Sequence, residues 1–166
     1  MTNAERPFAE MLLALRGKAG HNIPWTKDEQ ASIELCFAKE GEIRVLAACC
    51  VLASMRPEGC SRSVGILRET IERKVPLSPH TEESIYEALT CVKNRKLAPF
   101  YNALFPFIEQ SLKRRAIILV NTIFVLGRLA RGGEARALAL LQSLAHDDNA
   151  AIRDNALDVL QRLDRD

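Results

Sequence analysis

The chain of 166 residues carries few side chains whose types and spacing suit catalysis. Its three histidines, His21, His80 and His146, lie far apart at predicted turns or helix starts and are not expected to form a metal cage. The acidic pair Asp147 and Asp148 could serve acid–base catalysis, but adjacent acids directly before a predicted helix are better explained as N-terminal caps. No serine or cysteine stands with a histidine in a nucleophile motif. We therefore predict that the protein is not an enzyme and has no catalytic residue, metal or cofactor.

The five cysteines indicate free thiols rather than disulfides or metal ligands. Their number is odd, and they show no C-x-x-C spacing. Cys36, Cys49 and Cys91 lie among apolar residues at helical spacing and are predicted to be buried, whereas Cys60 follows a Pro-Glu-Gly turn and is predicted to be exposed. The N-terminal residues lack a basic leader with a long apolar run, and no apolar stretch reaches the roughly 18 residues of a membrane span. A cytoplasmic location without a membrane partner is expected.

The charge of the chain is divided along its length. The net charge is only +2, but residues 91–136 carry nine basic and two acidic side chains, a net of +7. Residues 1–90 have a net charge of −2, and residues 137–166 have a net charge of −3. Such a basic segment can attract phosphates or an acidic protein surface. It can also consist of helix-end cations that bind terminal carbonyls and face solvent.

Aromatic side chains are interleaved with this basic segment. Phe100, Tyr101, Phe105 and Phe107 occur close together, with Phe124 nearby in sequence, and most are expected to pack in the core. Aromatic residues beside arginines are typical of protein-binding hot spots. The candidate partner-binding residues are Lys93, Arg95, Arg114, Arg115, Arg128, Arg131, Tyr86 and Tyr101.

Helices must position these residues. No segment shows the sustained two-residue alternation of a strand, and apolar positions are spaced three and four apart. Thr26 with Glu29, and Ser78 with Pro79, are typical helix starts. Proline and glycine divide the chain into nine predicted helices, near 4–16, 27–38, 42–55, 61–74, 81–94, 98–111, 113–130, 134–145 and 149–164. Trp25, in the first loop, is predicted to pack under the first helix pair.

A comparison of the chain with itself shows a repeat of 34 residues. Segment 120–129 aligns with segment 154–163. Identical residues occupy the pairs Asn121 and Asn155, Val125 and Val159, Leu126 and Leu160, Arg128 and Arg162, and Leu129 and Leu163. A period in the thirties with two helices per period is typical of an α-solenoid, in which each pair buries its apolar face against its neighbours.

Two segments resemble the HEAT or armadillo type of helical repeat. In residues 147–160, two acids precede a helix that begins Ile152-Arg153 and continues with Ala156. Residues 41–55 share the Ile-Arg-x-x-Ala pattern, with Glu42 in the acidic position. Two further copies, at 81–93 and 113–130, agree by apolar pattern only. Where arginine is expected, the first has Tyr86 and the second has Leu119 or Val120. The resemblance implies an all-α fold in which residues 1–166 form a single domain. That domain would be a short α-solenoid with an N-terminal capping helix and four pairs near 27–55, 61–94, 98–130 and 134–164.

These observations predict a non-enzymatic protein-binding module whose basic, partly aromatic surface binds one acidic protein partner. A small helical protein of this kind could be a bacterial immunity or inhibitor protein that blocks a toxin or effector, and an adaptor is equally compatible. The alternative is a nucleic-acid-binding protein that uses the same basic segment. The acidic flanking segments and an isoelectric point of about 8.3 argue against that alternative.

Overall fold

A computed structural model of the chain describes residues 6–20, 23–54, 60–92, 101–113 and 119–165. Within these ranges the chain forms nine helices and no strand, so the predicted all-α fold is confirmed. The helices are α1 (Arg6–Gly20), α2 (Lys27–Phe37), α3 (Glu42–Ala53), α4 (Cys60–Glu72), α5 (Pro79–Cys91), α6 (Tyr101–Lys113), α7 (Leu119–Arg131), α8 (Ala135–Leu144) and α9 (Ala150–Leu163). Within the described residues, the largest difference from the predicted bounds is the end of α1, at Gly20 rather than 16.

The chain divides into two compact units, Met1–Val92 with α1 to α5 and Lys93–Asp166 with α6 to α9. In the first, here called unit 1, α3 is the central helix and packs against α1, α2, α4 and α5. After its charged first turn, α3 is buried on every side, with Ile43 and the whole run 45–52 in the core. Trp25 is buried too, and its indole Nε1 donates to the carbonyl oxygen of Leu15 at 3.2 Å. The prediction that Trp25 has a packing role is therefore confirmed.

The helix starts in unit 1 are fixed by local hydrogen bonds. Thr26 and Glu29 form the predicted capping box: Glu29 N donates to Thr26 Oγ1 at 3.2 Å, and Thr26 N donates to Glu29 Oε2 at 2.8 Å. Ser78 caps α5, with Pro79 in the first turn, where its missing N–H leaves no hydrogen bond unmade. Both starts are as the sequence predicts.

The second unit, here called unit 2, is built around α7, which packs against α8 and α9. Ile123, Leu126 and Leu129 of α7 are at most 1% exposed. Short connections between packed helices are typical of antiparallel pairs. Three residues connect α7 to α8 and five connect α8 to α9, and both pairs pack together, which gives α7 and α9 the same direction. They approach closely at Gly127, where an added Cβ would lie 2.5 Å from Val159 Cγ1.

The residues that carry the repeat resemblance lie in the two cores. Ile43 and Ile152 are buried at the start of their helices, and Ala47 and Ala156 have no exposed surface one turn later. The shared Ile-Arg-x-x-Ala pattern thus marks the buried stripe of α3 and of α9. The single-domain organisation and the solenoid arrangement of the whole chain stay predictions.

The acidic pair before α9 has a different role from the one predicted. The cap of α9 is Asn149, whose side-chain oxygen accepts from Ala151 N at 3.0 Å and Ile152 N at 3.4 Å. Asp147 accepts instead from Asn149 N at 2.9 Å and holds the loop that presents this cap. Asn is as effective a cap as Asp, which is why the sequence alone favours the wrong residue.

The cysteines of the described residues are free thiols. Cys36, Cys49 and Cys50 are buried, but Cys91 is partly exposed, so the prediction of burial is wrong at that position. The side chain of Cys60 lies outside the described part of the structure. In the described ranges, no helix is long and apolar enough to span a membrane.

Candidate partner-binding surface

The structure describes four of the eight residues predicted to bind a partner. Arg128 and Arg131 lie in the last turn of α7, where Arg131 is exposed and Arg128 is half-buried. Tyr101 opens α6, and Tyr86 lies in the middle of α5. The remaining four, Lys93, Arg95, Arg114 and Arg115, lie outside the described residues.

Tyr86 is a core residue and not a surface contact. Its side chain is fully buried, as are those of Ile85 and Leu89 in the same helix. The position at which the repeat pattern expects an arginine therefore carries a large buried ring, and Tyr86 offers no surface to a partner. The expectation of a contact role is wrong for this residue.

Tyr101 is partly used inside unit 2. Its ring lies edge-on to the buried ring of Phe105, with centroids 6.1 Å apart and planes at 71°. Burial raises the pKa of the Tyr101 phenol, and the charge of Glu134 adds to this rise. The phenol therefore stays neutral over a wide pH range.

One cation of the basic segment is engaged within unit 2. The guanidinium of Arg136 lies 4.9 Å from the centroid of the Phe105 ring, and its Nη2 donates to Glu109 Oε1 at 2.7 Å. The pair ties the start of α8 to α6 and neutralises one positive and one negative charge of the segment 91–136. Arg136 therefore has a structural role within unit 2.

The exposed side of α7 carries an apolar patch beside the two arginines. Val120 is 43% exposed and Phe124 is 39% exposed, one turn apart in a helix whose opposite side is buried. At 100° per residue, Arg131 lies between Val120 and Phe124 on the helix circumference, and Arg128 borders them. We call these four residues, Val120, Phe124, Arg128 and Arg131, the α7 face.

Helix α9 continues this surface with paired charges. The 34-residue offset places Asp154, Asp158 and Arg162 at the positions of Val120, Phe124 and Arg128. Because α7 and α9 run in the same direction and meet at Gly127 and Val159, these residues lie on the same side of unit 2 as the α7 face. Asp158 and Arg162 bind each other, with Oδ2 and Nη2 2.7 Å apart. The α7 face is thus an apolar patch with cations on α7 and an ion pair on α9.

Sequence reasoning did not single out Phe124 or Val120 as contact residues. In sequence, Phe124 lies near the aromatic cluster that is mostly expected to be buried, and its neighbours Ile123 and Val125 are buried. The spacing of Val120, Phe124 and Arg131 does show that they share one side of a helix. Which side the packing covers depends on α8 and α9, and the sequence of α7 alone does not contain that information.

Unit 1 contains a small apolar cavity that includes two thiols. It is lined by Leu12, Leu46, Cys49 and Cys50, with Arg16 and His80 at its edge. Burial raises the pKa of the Cys49 thiol far above its ordinary value, so this sulfur stays protonated and is a poor nucleophile. The Cys50 thiol donates to the carbonyl oxygen of Leu12 at 3.6 Å. Among the described residues, no group of three or more His, Cys, Asp and Glu side chains could hold a metal ion.

Comparisons with protein-family models, with curated proteins and with solved structures find no match to this chain. The resemblance to HEAT or armadillo repeats therefore depends on the residues of the chain itself and stays a prediction.

Proposed function

We propose that the chain is a protein-binding module and that the α7 face contacts its partner. The observation that carries this proposal is the exposure of Phe124 and Val120, one turn apart, on a helix that buries its other described large apolar side chains. An aromatic ring with an aliphatic neighbour on the surface is stabilised when a partner covers it. Aromatic and arginine side chains supply most of the binding energy in many protein interfaces, and the α7 face contains both.

The charges of the α7 face favour a partner that is both apolar and acidic. An apolar side chain of the partner would cover Phe124 and Val120, while its carboxylates would approach Arg128 and Arg131. An inhibitor or immunity protein that blocks a toxin or effector is one form that this function would take, and an adaptor is another. Both need a preformed binding surface and no chemistry of the protein's own.

Site-specific crosslinking in the native host tests the proposal. A photoreactive phenylalanine analogue at position 124 should capture one protein in a stoichiometric complex, which mass spectrometry identifies. The matched control is the same analogue at Leu35, which is 61% exposed on α2 and lies outside the α7 face. Capture of the same protein from both positions would indicate nonspecific proximity and contradict the proposal.

The captured partner then allows a quantitative test by titration calorimetry. Phe124→Ala should weaken binding by about 30-fold, the loss typical of a residue that contributes about 2 kcal/mol. Arg131→Glu should also weaken binding, and its loss of affinity should be larger at low salt than at high salt, because charge repulsion grows when screening decreases. Leu35→Ala and Arg68→Glu, which alter an apolar and a basic residue of unit 1, should bind as the wild type does. Unchanged affinity of the Phe124→Ala and Arg131→Glu variants would refute the α7 face.

The same proteins distinguish nucleic acid from a protein partner. A nucleic-acid site would give fluorescence anisotropy changes with generic duplex or single-stranded probes, and these would fall steeply as salt rises. The carboxylates of Asp154 and Asp158 on α9 lie on the same side as the α7 face and would repel a phosphate backbone. We therefore expect no anisotropy change with these probes at low salt. Binding to a nucleic-acid probe that falls as salt rises and that Arg131→Glu abolishes would overturn the proposal.

A further inference from the structure

Unit 1 contains a pocket that no part of the proposed function uses. It has a volume of about 290 Å³ and lies between the start of α3 and the end of α4. This size is at the lower end of the range for ligand sites and suits a small metabolite rather than a nucleotide. Its lining includes Glu40, Arg44, Val45, Glu69, Arg73 and Val75.

Two arginines of the pocket converge on one carboxylate. Arg44 Nη2 lies 3.2 Å from Glu69 Oε2, and Arg73 Nη1 lies 2.9 Å from Glu69 Oε1. Each guanidinium has five N–H donors, so the contact with Glu69 leaves several donors on each arginine for another acceptor. The two guanidiniums are therefore close enough together to bind one carboxylate at the same time. A ligand carboxylate that lies beside Glu69 would contact both arginines.

The pocket contains equal numbers of positive and negative groups. Arg44 and Arg73 carry two positive charges, and Glu40 and Glu69 carry two negative charges. A ligand with only a negative charge would be repelled by the two carboxylates, and a ligand with only a positive charge would be repelled by the two guanidiniums. A zwitterion gives each sign an opposite partner. Val45 and Val75 provide an apolar wall for an uncharged part of the ligand.

We infer that this pocket binds a free α-amino acid. The carboxylate of the ligand contacts Arg44 and Arg73, its ammonium group contacts Glu40, and an aliphatic side chain packs against Val45 and Val75. The pocket lies entirely within unit 1, so this site is independent of the α7 face and of the protein partner proposed there.

Titration calorimetry of the full chain tests this site with the common amino acids supplied one at a time. At least one aliphatic amino acid, for example leucine, should bind saturably with an affinity in the millimolar range, as a ligand of so few atoms permits. N-acetyl-leucine, which lacks the positive charge, and leucinamide, which lacks the negative charge, should each bind about tenfold more weakly. Equal binding of the three compounds, or no saturable binding of any amino acid, would overturn the inference.

Variants assign the binding to the pocket. Arg44→Gln should weaken amino-acid binding by about tenfold or more, because the ligand carboxylate loses a charged donor. Arg68→Gln is the matched control, since Arg68 also binds a glutamate of α4, Glu72, at 2.8 Å but does not line the pocket. Arg44→Gln with unchanged affinity, or Arg68→Gln with an equal loss, would refute the site.

Glu40→Gln tests whether Glu40 contacts the ammonium group of the ligand rather than only supporting the fold. Glu40 is exposed, so its removal should leave the unfolding midpoint unchanged. If Glu40 contacts the ammonium group, the variant should lose the preference for leucine over N-acetyl-leucine. A preference that remains intact in Glu40→Gln would contradict the assigned orientation of the ligand.

Discussion

Glu42 shows how one residue of the repeat pattern connects two helices of unit 1. It is the first residue of α3, and its carboxylate accepts three hydrogen bonds at the start of α5. Ser78 N donates to Oε1 at 2.5 Å, while Ser78 Oγ and Thr81 Oγ1 each donate to Oε2 at 2.7 Å. Burial raises the pKa of this carboxyl, but the hydrogen bonds from Thr81 and Ser78 lower it more, so its pKa lies below the ordinary value of 4.5.

The lowered pKa of Glu42 makes the stability of unit 1 depend on pH. Because the folded state binds this proton less readily than the unfolded state, the stabilisation is present above about pH 4.5 and is lost as the pH falls through the folded-state pKa. Glu42→Gln should therefore lower the free energy of unfolding at pH 7 by about 2 kcal/mol and flatten its dependence on pH below 4.5. Urea unfolding followed by Trp25 fluorescence at several pH values measures both.

Glu34 provides the control for the Glu42 prediction. It forms an exposed ion pair with Arg62 on the surface of unit 1, with Oε2 and Nη1 2.6 Å apart. Exposed pairs contribute little, so Glu34→Gln should change the free energy of unfolding by less than about 1 kcal/mol. If Glu42→Gln were no more destabilising than Glu34→Gln, the link between α3 and α5 would not be a stabilising contact.

At the scale of helices, the contact between α7 and α9 depends on a residue without a side chain. A Cβ at Gly127 would lie 2.5 Å from Val159 Cγ1, well inside van der Waals contact. Valine is stiff about χ1 in a helix, so its methyl group cannot easily rotate away. Gly127 therefore allows the two helix axes to approach, at the cost of the lower helix propensity of glycine.

Two glycine substitutions separate these effects. Gly127→Ala should destabilise the protein by about 1–2 kcal/mol, because the overlap with Val159 exceeds the gain in helix propensity of about 1 kcal/mol. Gly65→Ala, in α4, should instead stabilise it by up to about 1 kcal/mol, since a Cβ there meets no atom within 4 Å. Thermal unfolding followed by circular dichroism measures both, and a stabilising Gly127→Ala would show that the helices separate without cost.

The sequence predicts the helices well because their signals are local. The capping box at Thr26 and Glu29, and the proline after Ser78, depend only on residues within one turn. The exposed side of α7 and the burial of Tyr86 depend on which helices pack against α7 and α5, and this is set by residues far away in sequence. The α7 face is consequently visible only once α8 and α9 are in place, although two of its four members, Arg128 and Arg131, could be predicted from charge.

At the scale of the whole molecule, the chain forms two compact units whose cores are built differently. In unit 1 the core surrounds the central helix α3, whereas in unit 2 it lies between α7, α8 and α9. The two candidate sites are distributed accordingly, with the charged pocket in unit 1 and the α7 face in unit 2. Each site is built from helices of its own unit, so each can be tested by substitutions within that unit.

The division of the chain into two compact units predicts that residues 1–92 fold without the rest of the protein. Their large buried side chains, including Leu15, Ile43, Leu67 and Leu89, lie within unit 1 and would form a core of their own. The single tryptophan of the chain, Trp25, is buried in that core and reports its formation. The isolated fragment 1–92 should therefore show helical circular dichroism and the fluorescence of a buried tryptophan, with cooperative urea unfolding that Glu42→Gln shifts to lower urea. A fragment whose tryptophan fluoresces as in denaturant would mean that the core of unit 1 requires residues beyond 92.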